Sequence, residues 1–177
     1  MRLKGKKIAM LLDQDYQELE VWYPYYRLVE EGAEVLRVAG DADAAHREYP
    51  SKLGYPCPAD ASAEGLNAAD FDAVIVPGGW APDFMRRKES MIAFIQQCAS
   101  AGVVLAAICH GGWMLCCTDA LKGKRATSFV AIKHDMLNAG AEWVDAECIK
   151  DGNVITSRKP EDLPAFCSAI IAALVEA

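Results

Sequence analysis

The stretch AAICHGGWMLCC, residues 106–117, sets a thiol, an imidazole and two glycines in a row at Cys109, His110, Gly111 and Gly112. A thiolate attacks a carbonyl carbon, and an adjacent imidazole takes its proton and returns it to a leaving group when a carboxylate orients the ring. Two acidic residues are candidates for supporting that chemistry. Asp83 follows the break Pro77-Gly78-Gly79; it either faces His110 or a neighbouring subunit, or caps a helix entered at Phe84. Glu20 sits among apolar residues one turn into a predicted helix. It is either part of a solvated face or a buried carboxyl, protonated near neutrality and able to donate a hydrogen bond to a thiolate. The amides of Gly78 and Gly79 are candidate oxyanion donors, and Gly111 has no side chain to block approach.

Those residues need a scaffold. KIAMLL (7–12) reads as a buried strand, with Asp13-Gln14-Asp15 as cap chemistry for a helix over 17–31 that carries Leu19, Trp22, Tyr26 and Val29 at helical spacing. A second strand covers 34–39, and the polar stretch 40–69 holds a hairpin and a short helical turn. FDAVIVPGG (71–79) and VVLAAICH (103–110) are continuously apolar strands separated by an amphipathic helix over 88–101. Further on come a helix over 111–120, a strand over 125–129, a helix over 132–139, two strand segments around the turn Asp151-Gly152, and a helix over 160–177. Apolar strands alternating with helices predict one doubly wound α/β domain, 1–177, with a mostly parallel sheet. In such a sheet ligands bind beyond the carboxyl ends of the strands, which selects Asp13 to Glu20, Pro77 to Asp83 and Cys109 to Trp113. A cysteine at the turn from strand to helix is expected to project its sulfur, exposed and activated by the helix behind it.

The seven cysteines include no C-x-x-C and no zinc-type Cys/His spacing, so free thiols, no metal and no cofactor are expected. Cys116 and Cys117 lie roughly 10 Å along the helix from Cys109 at about 1.5 Å per residue and read as packing, like Cys98, Cys148 and Cys167. Cys57, between two prolines, is expected in an exposed, oxidisable loop. A net charge of −7 with short, separated basic clusters argues against nucleic-acid binding. The apolar run after the basic start is too short for a signal peptide, and no segment is long enough to span a membrane, so the expected location is the cytoplasm.

Together AAICHG, PGGWAPD, YPYYRLVEEGAEV, IKHDMLNAGAEWVDAE and SRKPEDLPAF resemble the PfpI intracellular protease/deglycase branch of the ThiJ/PfpI superfamily, over essentially the full chain. The resemblance implies a flavodoxin-like three-layer α/β/α sandwich with the nucleophile Cys109 on an elbow and His110 as its base. It implies that Asp83 completes a triad across a subunit interface, in a homodimer or hexamer, that Glu20 hydrogen-bonds the sulfur, and that Gly78 and Gly79 form the oxyanion region. Three positions depart from the family pattern: Gly112-Trp113 where proline is usual after the elbow glycine, Gln17 for an acid, and Phe129 for a tyrosine. Trp80 and Trp113 either narrow the pocket toward small ligands or simply pack. The leading functional reading is an enzyme acting through Cys109 on small reactive carbonyls or glycated amines and thiols, of glyoxalase or deglycase type. A cysteine peptidase or amidase would use Cys109, His110 and Asp83, and a non-enzymatic stress protein would use an oxidisable Cys109.

Overall fold

Residues 1–176 are described by a computed structural model. In chain order they form β1 (Lys7–Leu11), α1 (Glu18–Glu30), β2 (Glu34–Ala39), the pair β3 (Glu48–Pro50) and β4 (Pro56–Pro58), β5 (Ala61–Ser62), β6 (Ala73–Val76), α2 (Ala81–Met85) and α3 (Glu89–Ser100). Then follow β7 (Val104–Ile108), α4 (Gly112–Leu115), β8 (Arg125–Ala126), α5 (Lys133–Asn138), β9 (Glu142–Trp143), β10 (Cys148–Asp151), β11 (Val154–Ser157) and α6 (Leu163–Glu176). The last helix was expected to reach Ala177, which lies outside the described residues.

The main sheet runs β10-β11-β7-β6-β1-β2-β5, with every neighbouring pair parallel except the β10/β11 hairpin. β6 is buried at every position, and β1 and β7 at every position but the first, which is why both faces of these strands read as apolar. α1 and α6 pack together on one face, and α3 and α4 pack on the other side of β7, giving the expected three-layer sandwich. The carboxyl ends of β1, β6 and β7 are adjacent, so the loops after them meet.

Three sequence expectations change. α1 buries Glu20, Val21, Pro24 and Leu28, whereas Leu19, Tyr26 and Val29 of the anticipated apolar face are exposed. Either face satisfies helical spacing; the carboxyl of Glu20 made the true core face look polar. The helix expected over 111–120 is one turn long: a 3-10 turn at Cys109–Gly111 leads into α4, and the chain leaves helix after Leu115. Cys57 also differs from its expected loop. Its residue is fully buried on the β3/β4 hairpin, and burial pushes the thiol up to about 11.

Candidate active site

Cys109 follows β7 directly and takes φ +59°, one of two non-glycine residues with positive φ among those described. That left-handed conformation strains an L-residue and turns the side chain out of the strand direction. Its neighbours let the turn close. A Cβ on Gly111 would collide with the carbonyl oxygen of Val76, and one on Gly78 would lie 2.7 Å from Cys109 Cβ and 2.9 Å from His110 N. The glycines on both sides are therefore there for close backbone approach.

Glu20 enters from below. Its residue is fully buried, and Oε2 accepts the Gly78 N–H at 2.6 Å, while Oε1 has no hydrogen-bond partner among the described residues. Burial pushes this carboxyl up to about 7, against the opposing pull of the Gly78 amide, the Cys109 contact and the charge of Lys52. The helix expectation for Glu20 resolves to its buried alternative. Gln17 explains how it is held there: this residue caps α1, its side-chain oxygen accepting the Glu20 N–H at 2.9 Å. The cap is thus Gln17 and not Asp13 to Asp15.

The sulfur is neither exposed nor intrinsically acidic, contrary to expectation. Cys109 is 8% exposed, and its thiol is pushed up to about 12, first by burial and then by the Glu20 charge. The His110 and Gly79 amides hydrogen-bond the sulfur and pull the other way. A four-residue α4 has too small a dipole to reverse this. Glu20 and Cys109 therefore act as a pair: the thiolate is tolerable only while Glu20 holds a proton. The oxyanion assignment also shifts. The Gly78 N–H is committed to Glu20, so the amides that converge on the sulfur are those of Gly79 and His110.

His110 Nδ1 lies 3.3 Å from Cys109 Sγ. Burial, and then the positive charge of Lys52, pull its pKa below the ordinary histidine value, so the ring is neutral and able to accept a proton near pH 7. Asp83 does not orient it within the chain. Asp83 lies in the first turn of α2, whose N-cap is Trp80, and its carboxylate is paired with Arg87 and, at 3.5 Å, with Arg86. The N-cap alternative for Asp83 is thereby removed as well. Aromatic rings hold the imidazole instead: Trp113 and Phe129 have centroids 5.1 Å away, and Trp80 5.7 Å. Trp113 Nε1 is buried without a partner among the described residues, and Arg86 stacks on that ring at 4.5 Å. A Cβ at Gly112 would meet Met136 Sδ at 2.7 Å, so this departure from proline serves packing against α5.

Sequence reasoning missed Lys52. It lies in a polar stretch with no motif around it, and only the fold brings the β3–β4 hairpin to the site. The isolated bridges Tyr16–Ser51 and Tyr16–Gly79 tie that hairpin and the PGG loop to the chain leaving β1. Among the described residues no cluster of His, Cys, Asp and Glu could hold a metal, and no helix is long and apolar enough to cross a membrane.

Residues 6–173 match the DJ-1/PfpI family. The chain is 39% identical over 160 residues to the deglycase PH1704 of Pyrococcus horikoshii, covering 90% of this chain and 94% of that protein. It is 38% identical over 160 residues to the deglycase PfpI of Pyrococcus furiosus, with the same coverage of 90% and 94%. A solved two-domain protein from Anabaena variabilis, containing DJ-1/ThiJ/PfpI-like and ferritin-like domains, superposes with a TM-score of 0.91 at 40% identity. That match covers 96% of this chain and 48% of the other, so this chain spans about half of the two-domain protein.

Proposed function

Because the chain belongs to the DJ-1/PfpI family, we propose that it is a cysteine-dependent enzyme acting on reactive carbonyls or glycated adducts, of deglycase or glyoxalase type. The observation that carries this reading is the buried pair of Glu20 and Cys109, with His110 Nδ1 3.3 Å from the sulfur. Two relatives named deglycases support it. The whole chain, 1–177, acts as one catalytic domain, which the single continuous set of core residues supports. The free thiols suit a reducing compartment, and the cytoplasm is the proposed location.

In the glyoxalase form Cys109 Sγ adds to the aldehyde carbon of methylglyoxal. The carbonyl π pair moves to oxygen, which the Gly79 and His110 amides receive, and Glu20 retains the proton that lets the sulfur react as thiolate. His110 then removes the proton from the former aldehyde carbon and returns it at the ketone carbon, and the former ketone oxygen takes the proton held by Glu20, leaving a lactoyl thioester on Cys109. Water cleaves the thioester to lactate and free thiol, so methylglyoxal plus water gives lactate. The deglycase form starts from a hemithioacetal or hemiaminal and also releases the repaired thiol or amine. No step calls on a metal or cofactor.

The enclosed sulfur and the rings of Trp80, Trp113 and Phe129 favour a small substrate over an extended peptide. The test is lactate release from methylglyoxal, and cleavage of a peptide-amide panel, by wild type and Cys109→Ala. Lactate formed by wild type alone supports the reading. Peptide cleavage without lactate transfers it to the peptidase class, and peroxide-driven gain of two oxygens on Cys109 without any turnover transfers it to the redox class. We further propose a homodimer or hexamer in which Asp83 stands near the interface and supports His110 of a second copy. Asp83→Ala then lowers kcat about tenfold with the oligomer intact by light scattering; dissociation would make its role structural.

A further inference from the structure

Lys52 is exposed and forms no ion pair among the described residues, in a protein whose net charge is −7, and its charge reaches both Glu20 and His110. Its Nζ lies 5.9 Å from the centroid of Trp80, whose ring is 5.7 Å from that of His110. The backbone that carries it is fixed. Lys52 N donates to Tyr16 O at 3.0 Å, Gly54 N to Ser51 O at 3.0 Å, and Ser51 N to Tyr55 O at 2.9 Å. The Glu18 carboxylate is nearby and its Oε1 accepts from Ser51 Oγ at 2.5 Å and Leu53 N at 2.8 Å, so it shares this region with Lys52 without forming an ion pair with it. The remaining walls, Trp80, Trp113 and Phe129, bring no second full positive charge to the imidazole, since Arg86 lies over Trp113 and is shared with Asp83. An exposed ammonium on a fixed backbone, free of any ion-pair contact among the described residues and set beside the rings of Trp80 and His110, attracts an anion and places it next to the reacting atoms.

We propose that Lys52 is a specificity residue that selects substrates bearing a carboxylate close to the carbonyl or its adduct. This rests on the carbonyl-enzyme reading above for its substrates, but the cation's effect on Cys109 is measurable without turnover. Iodoacetate and iodoacetamide are close in size and differ in charge, and both alkylate a thiolate with loss of iodide. Their second-order rates at Cys109, followed by peptide mass in wild type, Lys52→Ala and Lys52→Glu, isolate the charge. A change in the His110 or Glu20 titration alters both rates alike and cancels in the ratio.

The iodoacetate-to-iodoacetamide ratio is expected to fall about fivefold in Lys52→Ala, the size an exposed ion pair supplies, and further in Lys52→Glu. Salt near 0.5 M should remove most of the wild-type preference. An unchanged ratio in both variants overturns the proposal. The same charge pair exists among substrates: the methylglyoxal hemithioacetals of N-acetylcysteine and of its amide. Each with one water gives lactate and the free thiol, and the wild-type preference for the acid, carried by KM, should fall with the alkylation ratio. A falling alkylation ratio with neither hemithioacetal turned over keeps the anion site and removes the deglycase reading. Turnover of both with unchanged ratios keeps the enzyme and removes the site.

Discussion

Cys109 and Cys116 lie on one short segment, and burial pushes both thiols up to about 12, yet their surroundings differ in kind. Around Cys109 stand a carboxyl raised to about 7, an imidazole nitrogen at 3.3 Å and two amides, on a backbone at φ +59°. Cys116 is an ordinary helix C-cap at φ −64°, its sulfur 3.8 Å from Met136 Sδ, and Cys117, just past α4, has its Sγ 3.5 Å from the Trp113 carbonyl. What sets the proposed reactive thiol apart is a nearby group able to keep its proton, not an acidic sulfur. Helix and burial alone yield an inert cysteine.

The comparison breaks most readily at the sulfurs themselves. Cys109→Ala should lower lactate release at least about a thousandfold, while Cys116→Ala and Cys117→Ala stay within about twofold in the same assay. Equal losses at either end of the segment would erase the distinction. Next in size, Glu20→Gln should lower kcat about a hundredfold, because the amide cannot hold the proton that Cys109 releases.

Glu20 also carries a stability signature. Its folded pKa of about 7 exceeds the ordinary carboxyl value of 4.5. Its favourable contribution is therefore fully present below pH about 4.5 and is lost as pH rises through about 7, by about 3 kcal/mol in all. Urea unfolding at pH 5 and pH 8 should show that loss in wild type and not in Glu20→Gln. A wild-type stability that rises over this interval would contradict the burial account.

The glycines give the smallest contrast. A Cβ on Gly78 meets Glu20 Oε2 at 2.6 Å and backbone at 2.9 Å, none of which can yield, so Gly78→Ala should cost about 3 kcal/mol and most of the activity. At Gly112 the close atoms are the Met136 thioether and, at 3.1 Å, Ile132 Cδ1, and both side chains can shift. Gly112→Ala should cost about 1 kcal/mol with activity kept. Similar melting shifts for the two would mean that the turn is less tightly packed than its contacts imply.

Continuous apolar strands and their glycine-bounded helices made the sandwich legible in the sequence, and the strand-to-turn position of Cys109 singled out the thiol proposed as nucleophile. What stayed hidden depends on contacts between distant segments. Helical spacing in α1 fits two faces, and only packing against α6 and β2 decides that Glu20, Val21, Pro24 and Leu28 go inward. The Gly78 amide looked free until Glu20 was placed beneath it, 58 positions away in the chain. Lys52 carries no local pattern, and Asp83 carries one that its Arg86 and Arg87 neighbours redirect within a single chain.

The proposed reactivity turns on one proton shared by Glu20 and Cys109, and its most direct measurement is the pH dependence of iodoacetamide alkylation, resolved cysteine by cysteine. Cys109 should rise through pH about 7 and level off, because the proton lost there belongs to the pair it forms with Glu20, while Cys116 keeps rising beyond pH 10. A Cys109 rate that climbs in parallel with Cys116 past pH 9 would show that Glu20 does not set its reactivity.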